Sequence, residues 1–480
     1  MNLFEETDRP TISFLNQEKK ERIYQASLGI LEEVGMIVYH DDARRILKTA
    51  GCTIDDEGLR KIPASLVGEA LKSAPNNISI YDREGQLSMD LGGYRTYFGT
   101  GSDLLYTLDS KTMHRKRCVL KNVRQAALLC DALPSIDFIM SYAHPREVSA
   151  ERAYLMSFQA MSANSCKPIV ATAESAEDLG KMWEIAVILR GSEEETGEKP
   201  YFALYIEPAS PLKHPFESME KLLFCVEKGI PAIYSAAPNA GASAPMTIAG
   251  QVVQGLSECL FGLVLTQLKR EGAPFIMGMG PAILDMITSQ SLYNAPEYYL
   301  GYMAIIEMSH YFDLPSWGYA GTSDSLIPDG QAAMEGGYQT LLAALAGANL
   351  NHDVGYLNYG LTGCLEEVLI QEEIISLVRR LMQGVPVNDD TLARDVIKEV
   401  GPMGDFLTHP HTLKHVRSTQ WRPTLLNRLG YEQWAEAGHK SLLDRARERV
   451  EDILTSHRPL PIPEEKQHVI QKLVDNFKSC

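Results

Sequence analysis

The sequence predicts an α/β fold: a (β/α)8 TIM barrel with an N-terminal α/β extension and a C-terminal helical extension. Three observations predict it. From about residue 134 a short apolar run, a polar loop and a helical stretch recur seven times. Strands that alternate with helices in this way pair in parallel through right-handed crossovers. No glycine-rich phosphate turn follows the first run, which favours a closed barrel over an open doubly wound sheet.

Residues 1–90 form the N-terminal extension. Gln17 to Glu33 places Ile23, Leu28 and Leu31 near helical spacing, as in an amphipathic helix. Gly35 to Tyr39 reads as a strand, Asp41 as the N-cap of a helix through Ala50, Pro63 to Leu71 as another helix and Ile78 to Tyr81 as a strand entering a turn. The barrel takes residues 91–400. Its strands are Phe138 to Met140, Pro168 to Thr172, Tyr201 to Ile206, Pro231 to Ser235, Phe275 to Met277, Pro315 to Gly318 and Ala348 to His352. Long helices fall between them, among them Thr247 to Arg270, Tyr293 to Phe312 and Asp329 to Ala346. The eighth strand is either Tyr94 to Tyr97 or a stretch near Asp405 to Leu407. Residues 401–480 form a helical extension packed on the barrel.

Composition narrows the function. The 480 residues carry 45 Lys+Arg against 62 Asp+Glu, a net charge of −17, which disfavours nucleic acid because phosphate binding needs a concentrated basic face. The one dense basic run, Lys111 to Arg117, reads as a solvated loop. The acidic start MNLFEETDRP is unlike a signal peptide and no long apolar window occurs, so a cytoplasmic chain without a membrane partner is expected. Eight cysteines without paired spacing fit reduced thiols, with Cys130, Cys225 and Cys259 in the core, and Cys480 lacks the three following residues a prenylation signal needs.

The motifs of common chemistries are missing. Gly278-Met-Gly280 lacks the third small residue of a dinucleotide fingerprint, and no G-x-x-x-x-G-K or H-E-x-x-H exists. Gly241-Ala-Ser243-Ala-Pro245 has proline where a nucleophile elbow needs glycine. Working residues of a barrel stand at the C-terminal ends of strands. Those positions are Tyr142, His144, Arg146, Glu174, Tyr205, Glu207, Tyr234, Asn239, Met277, Met279, Asp285, Trp317, Tyr319, Thr322, Asp324, Asn351, His352, Asp353 and Tyr356. So many rings suit a box for a cation, since the faces of Trp and Tyr attract a quaternary ammonium by ~2 kcal/mol or more when water is excluded.

Several long motifs resemble the trimethylamine methyltransferase superfamily of corrinoid-dependent methyltransferases. They are Asn239 to Gly255 with Glu258, Arg270 to Pro274, Ala320 to Ser325 with Asp329, Gln331, Ala332 and Glu335, and Gly347 to Asn349 with His352-Asp353. Ser210-Pro-Leu212 and the Asp109 to Arg117 hairpin also fit, and the resemblance spans roughly residues 20 to 470. It implies a TIM-barrel enzyme that moves a methyl group from an amine to the Co(I) cobalamin of a partner corrinoid protein. The trimethylamine branch carries pyrrolysine. Gly318 to Ser323, near where that residue would fall, holds nothing able to capture an amine, which is similar to the branch that uses glycine betaine, proline betaine or carnitine.

A quaternary ammonium departs as a neutral amine, so no general acid is needed, and positioning and desolvation carry the reaction. The expected substrate box is Tyr97, Phe98, Tyr205, Tyr234, Trp317, Tyr319, Asn349, His352 and Tyr356. The corrinoid is expected to face Gly99, Thr100, Gly101, Asn239, Met277 and Met279. His352 is the first candidate for a betaine carboxylate, with Asn349, Asn351 and the Gly99 to Gly101 backbone next. Glu207 could steady the ammonium, and Asp324 is a further catalytic candidate, whereas Asp329 and Glu335 read as loop and cap residues. Replacing Trp317 or Tyr205 by Ala is expected to weaken betaine use far more than stability. Two rival readings stand beside this one: a zinc-dependent methyltransferase using His409, His411 and His415, and a barrel that binds quaternary amines without catalysis. The interrupted i, i+2, i+6 spacing of the histidines is not a standard ligand set, so no metal is expected. A homo-oligomer is compatible with the terminal additions.

Overall fold

A computed structural model of the chain describes residues 9–54 and 59–477; Cys480 and the acidic start from Met1 to Asp8 lie outside the described residues. Eight short parallel strands close on themselves. They are β1 (Tyr97–Phe98), β2 (residues 138–139), β3 (Ile169–Ala171), β4 (Phe202–Ile206), β5 (Ala232–Ala236), β6 (Phe275–Met279), β7 (Ser316–Tyr319) and β8 (Leu350–His352). Hydrogen bonding runs β1-β8-β7-β6-β5-β4-β3, and parallel bridges from Gly99 to Phe138 and from Ile139 to Ile169 complete the ring through β2. The eighth strand is therefore the Tyr97 one. Asp405 to Leu407 instead precedes the helix Pro410–Thr419 in the C-terminal region.

A long helix follows each strand: α1 (Leu120–Ala132), α2 (Ala150–Asn164), α3 (Ala176–Arg190), α4 (Phe216–Lys228), α5 (Ile248–Lys269), α6 (Pro296–Tyr311), α7 (Gly330–Ala346) and α8 (Leu365–Met382). Local chemistry sets their ends. Ser175 and Asp178 form a reciprocal cap on α3, and Gly191, Gly229 and Gly347 close α3, α4 and α7 in the left-handed conformation. Asp329 caps α7 as expected, its carboxylate accepting from the Ala332 N–H at 3.1 Å. At the other expected cap the residue is His40, whose Nδ1 accepts from Ala43 N at 3.3 Å, while Asp41 sits in the first turn.

The N-terminal extension does two things. Its helices Gln17–Gly29, Asp41–Thr49 and Ala64–Ser73 pack on α5. Among the described residues α5 is the one helix long and apolar enough to cross a membrane, and it is mostly buried inside the fold, so its apolarity serves the core. The antiparallel hairpin Ile78–Tyr81 with Leu87–Leu91 plugs the base of the barrel. Ile78, Ile80, Met89 and Leu91 are buried against Phe138, Val170, Ala203, Ile233, Ile276 and Leu350 from the barrel interior, at roughly 1.5–3 kcal/mol for each side chain so buried.

The C-terminal helices α9 (Leu442–Ser456) and α10 (Glu464–Asn476) pack outside the barrel, α9 on α8 and α1, α10 on α3 and α2. The described cysteines are free, and Cys130, Cys225 and Cys259 are buried. Lys111 to Arg117 forms the turn and second strand of an exposed hairpin in which Arg115 and Arg117 lie over the Tyr106 ring.

Candidate active site

Side chains alternate across a strand, so each barrel strand sends every second residue inward. On β4 these are Ala203, Tyr205 and then Glu207 just past its end; on β5 Ile233 and Ser235; on β7 Trp317 and Tyr319; on β8 Leu350 and His352. The register sets Trp317 beside Leu350 and Tyr319 beside His352. An aromatic layer results at the C-terminal mouth. The His352 ring stacks on Trp317 with centroids 4.2 Å apart, Tyr319 lies 4.5 Å from His352, and Tyr205 lies 5.5 Å from Trp317. Tyr298 and Tyr302 of α6 meet Tyr319 edge-on from outside.

Glycines make room for this layer. A Cβ on Gly278 would lie 2.9 Å from Trp317 and 3.0 Å from Ser235, and one on Gly101 would collide with Asp353 Oδ1 and Tyr356 Oη. Trp317 is fully buried and forms the floor; His352 is 7% exposed and faces the opening.

The mouth is acidic. The Tyr205 hydroxyl donates to Glu207 Oε1. Glu207 is open to solvent at the mouth, and partial desolvation by the protein around it raises its carboxyl above the usual range, opposed by the Tyr205 hydrogen bond and by His352. Asp353 Oδ1 lies 2.7 Å from His352 Nδ1, and Asp353 holds φ at 76°. Asp103, also left-handed at φ 65°, lies 3.9 Å from His144 Nδ1, and its carboxylate raises the His144 pKa against the opposing effect of burial. Burial pushes the hydroxyls of Tyr205, Tyr319 and Tyr356 well above their ordinary range, so the rings stay neutral.

Polar atoms in this layer lack partners among the described residues: Trp317 Nε1, Ser235 Oγ and both His352 ring nitrogens are buried without a hydrogen bond of good geometry, although Asp353 Oδ1 stands close to His352 Nδ1. Ser235 also faces the Tyr205 and Tyr319 hydroxyls. An unmade buried hydrogen bond costs about 1–3 kcal/mol, so these groups call for a bound acceptor or water.

Of the residues expected at the site, Tyr205, Glu207, Trp317, Tyr319, His352 and Tyr356 converge on the mouth, with Gly101 at its edge. Others do not reach it. Tyr234 points outward on β5, where its hydroxyl meets His214 Nδ1 at 2.6 Å and its ring lies against Gly262 of α5. Met277 and Met279 have the same outward parity, and Met279 packs on Gly255 of α5. Phe98 faces α8, with Arg379 over its ring. Tyr97 is inward but at the base, where it meets Asp90 of the plug. Asn349 also belongs to the base, joining Ser316 N to the carbonyls of Gly93 and Arg95. Asn351 bonds Tyr302 outside the barrel. Gly99 and Thr100 form the seam with β2, Gly99 against Phe138 and Thr100 bonded to Met140. Asn239 holds the loop after β5 to Ser291 at 2.7 Å.

Asp324 stands beside the opening rather than in it. Its carboxylate accepts from Tyr293 N and Asn294 N at 3.3 and 2.9 Å, tying the loop after β7 to the entry of α6, and burial pushes it up to about 6. Glu335 supports that loop through Ser323 Oγ and Asp324 N. Asp353, expected at a strand end, joins the site, as do Ser235 and Asp103, which the sequence did not point to; the alternation from Ile233 to Ser235 was the available signal for the first. A groove of about 610 Å³ between α2 and α10 lies outside the barrel and contains none of these residues.

His409, His411 and His415 lie elsewhere. The helix Pro410–Thr419 meets α8 through Arg380, which bonds Thr419 O at 3.1 Å. The neighbouring Arg379 pairs at 2.5 Å with Asp137, which precedes β2 and so marks the base. The cluster is at the opposite end of the barrel from the mouth, where zinc could not act on a ligand held there.

Comparison with known proteins agrees with this architecture. Residues 4–479 match the model of the family described as trimethylamine methyltransferase (MTTB). The chain is 30% identical over 461 residues to the trimethylamine methyltransferase MttB of Desulfitobacterium hafniense strain DSM 10664 / DCB-2, covering 96% of this chain and 93% of that one. It is 31% identical over 477 residues to MttB of Methanosarcina barkeri strain Fusaro, covering 97% and 95%. It is 28% identical over 469 residues to the glycine betaine methyltransferase of D. hafniense strain Y51, covering 97% of each. Among solved structures, the monomethylamine methyltransferase MtmB of Methanosarcina barkeri superposes with a TM-score of 0.52 at 12% identity, covering 92% of this chain and 89% of that one.

Proposed function

Because the chain belongs to the trimethylamine methyltransferase family, we propose that it moves a methyl group from a quaternary amine to the Co(I) corrinoid of a partner protein, with glycine betaine as the first substrate. The glycine betaine methyltransferase relative supports the substrate class. So does Gly318 to Ser323, which holds only ordinary residues in the stretch where the trimethylamine branch would carry its amine-capturing side chain.

One observation carries the reading: a carboxylate set among neutral rings lies next to buried donors without partners. A betaine needs both. Its ammonium fits against Tyr205 and Tyr319 with Glu207 as counter-charge, a contact of ~2 kcal/mol or more once water is excluded. Its carboxylate fits the unsatisfied hydrogens of Ser235, Trp317 and His352, where charge-assisted bonds are about twice as strong as neutral ones. The chain holds the N–CH₃ bond toward the opening and excludes water. A partner's corrinoid would supply the Co(I) nucleophile that accepts the methyl group, the N–C electron pair leaving with the amine. No proton moves, which agrees with a mouth whose tyrosines are held neutral and far from titration.

Mixing the chain with Co(I) cobalamin and a quaternary amine tests this. Glycine betaine is expected to yield the methyl-Co(III) spectrum and trimethylamine to leave it unchanged. Silence with glycine betaine, proline betaine, carnitine and tetramethylammonium alike would overturn the reading.

A further inference from the structure

The fold regroups the histidines of Thr408 to His415. His409 turns back as the N-cap of the helix Pro410–Thr419, its Nδ1 accepting from His411 N at 3.1 Å and its Nε2 facing Glu399 at 3.6 Å. His411 and His415 stand one turn apart on that helix with ring centroids 4.3 Å apart. Asp390 meets both from the short helix Asp389–Leu392: its Oδ2 is 3.1 Å from His415 Nε2, and its backbone carbonyl is 3.1 Å from His411 Nε2. One ligand atom from each of Asp390, His411 and His415 lies within 4.8 Å of the others. His415 Nε2 is buried and has no hydrogen bond of good geometry among the described residues.

We propose that Asp390, His411 and His415 form a zinc site that staples the segment Asp389–Leu392 to the helix Pro410–Thr419. Two imidazoles and a carboxylate are a borderline-soft N₂O set, suited to Zn²⁺ with a water in the fourth position and unlike the all-oxygen sets of Mg²⁺ or Ca²⁺. Ligands bonded at ~2.0–2.2 Å in a tetrahedron stand roughly 3.3–3.5 Å apart, so a small closure of the observed spacing suffices. The Lys414 ammonium, 2.7 Å from Asp390 Oδ2, holds the place a metal would take on that oxygen and must swing into solvent. His411 gives up its bond to the Asp390 carbonyl in the same step.

A staple suits this region. Val385 and Val387 are 85% and 71% exposed, and Leu392, Ile397, Leu407 and Leu413 are more than half exposed, so apolar burial holds the segment only weakly. The site is structural and lies away from the mouth, so it leaves the proposed methyl transfer untouched.

Full-length chain stripped with chelator and titrated with ZnCl₂ tests the proposal by calorimetry and thermal melting. Uptake of about one zinc per chain is expected, with a Tm that climbs with zinc concentration as a ligand of the folded state requires. His411→Gln with His415→Gln, and separately Asp390→Asn, are expected to weaken zinc at least ~10-fold, the double substitution and the single one cross-checking each other should either disturb folding. His409→Gln should keep the affinity, and Lys414→Met should raise it. Equal uptake by the wild-type chain and the His411/His415 double variant would overturn the site, as would full affinity in Asp390→Asn.

Discussion

Glu207 and Trp317 illustrate how the inward face of a strand decides what a residue can do. Glu207 is a negative charge set directly against the ring wall, bonded to Tyr205 and electrostatically coupled to His352. Glu207→Gln is expected to raise KM for a quaternary amine ~10-fold or more, the range for losing a hydrogen-bonded charge partner of ~1.5–3 kcal/mol, with a smaller effect on kcat. Because burial raises its pKa, affinity should fall as pH drops through that raised value and hold steady above it; the variant should lose this acid limb, and titrations of amine at low and neutral pH check it. Trp317 needs a different substitution from the one the sequence suggests. As the fully buried floor it also supports the core, and removal to Ala costs roughly 3–5 kcal/mol of stability, so Trp317→Ala cannot separate binding from folding. Tyr205→Phe does: it keeps the ring and releases the Glu207 contact, and an unchanged KM in that variant would remove the hydroxyl from substrate binding.

The elements around the mouth are tied by titratable groups, and Asp324 gives the clearest case. Its carboxyl is pushed up to about 6, so the folded chain holds that proton more tightly than the unfolded chain does. The stability it adds is complete below about pH 4, the unfolded value, and is lost as pH rises through about 6. Asp324→Asn does not titrate there, so its Tm relative to wild type should improve between pH 4.5 and 7; a constant difference would contradict the assignment. At the base, Ile80→Ala should cost about 2–5 kcal/mol in denaturant melts while leaving KM unchanged, because the plug fills the barrel from the end opposite the site. The strand-and-helix repeat was legible in the sequence because fully buried strands and long helices alternate. β1 was faint because Tyr97–Phe98 pairs over only two residues, whereas β2 was read from Phe138 to Met140 although residues 138–139 join by single bridges. The inward or outward sense of each residue was hidden for the same reason that the strands were visible: strands of a parallel barrel are apolar on both faces, so Tyr234, Met277 and Met279 read like Trp317 until α5 covers them. Asp390 meets His411 and His415 across a loop that no local spacing records.

At the scale of the whole molecule, the net charge of −17 and the acidic mouth point the same way for a cation but not for a zwitterion. Glu207, Asp103 and Asp353 gather at the C-terminal ends of the strands, where their charges add to a negative field at the mouth. A ligand of net positive charge is drawn by that field over a Debye length of about 10 Å at 0.1 M salt, and the attraction fades as salt rises. Glycine betaine carries no net charge, so the long-range pull on its ammonium is cancelled by its carboxylate, and its recognition rests on short contacts that salt screens poorly. KM for glycine betaine is therefore expected to change less than ~2-fold between low and moderate salt, whereas binding of tetramethylammonium, measured by its competition, should weaken several-fold over the same range. Equal salt dependence for the two would mean that the carboxylate is not held inside the barrel. The unsatisfied hydrogens of Ser235, Trp317 and His352 would then have to be met by water, and Glu207 with the rings would be recognising the ammonium alone.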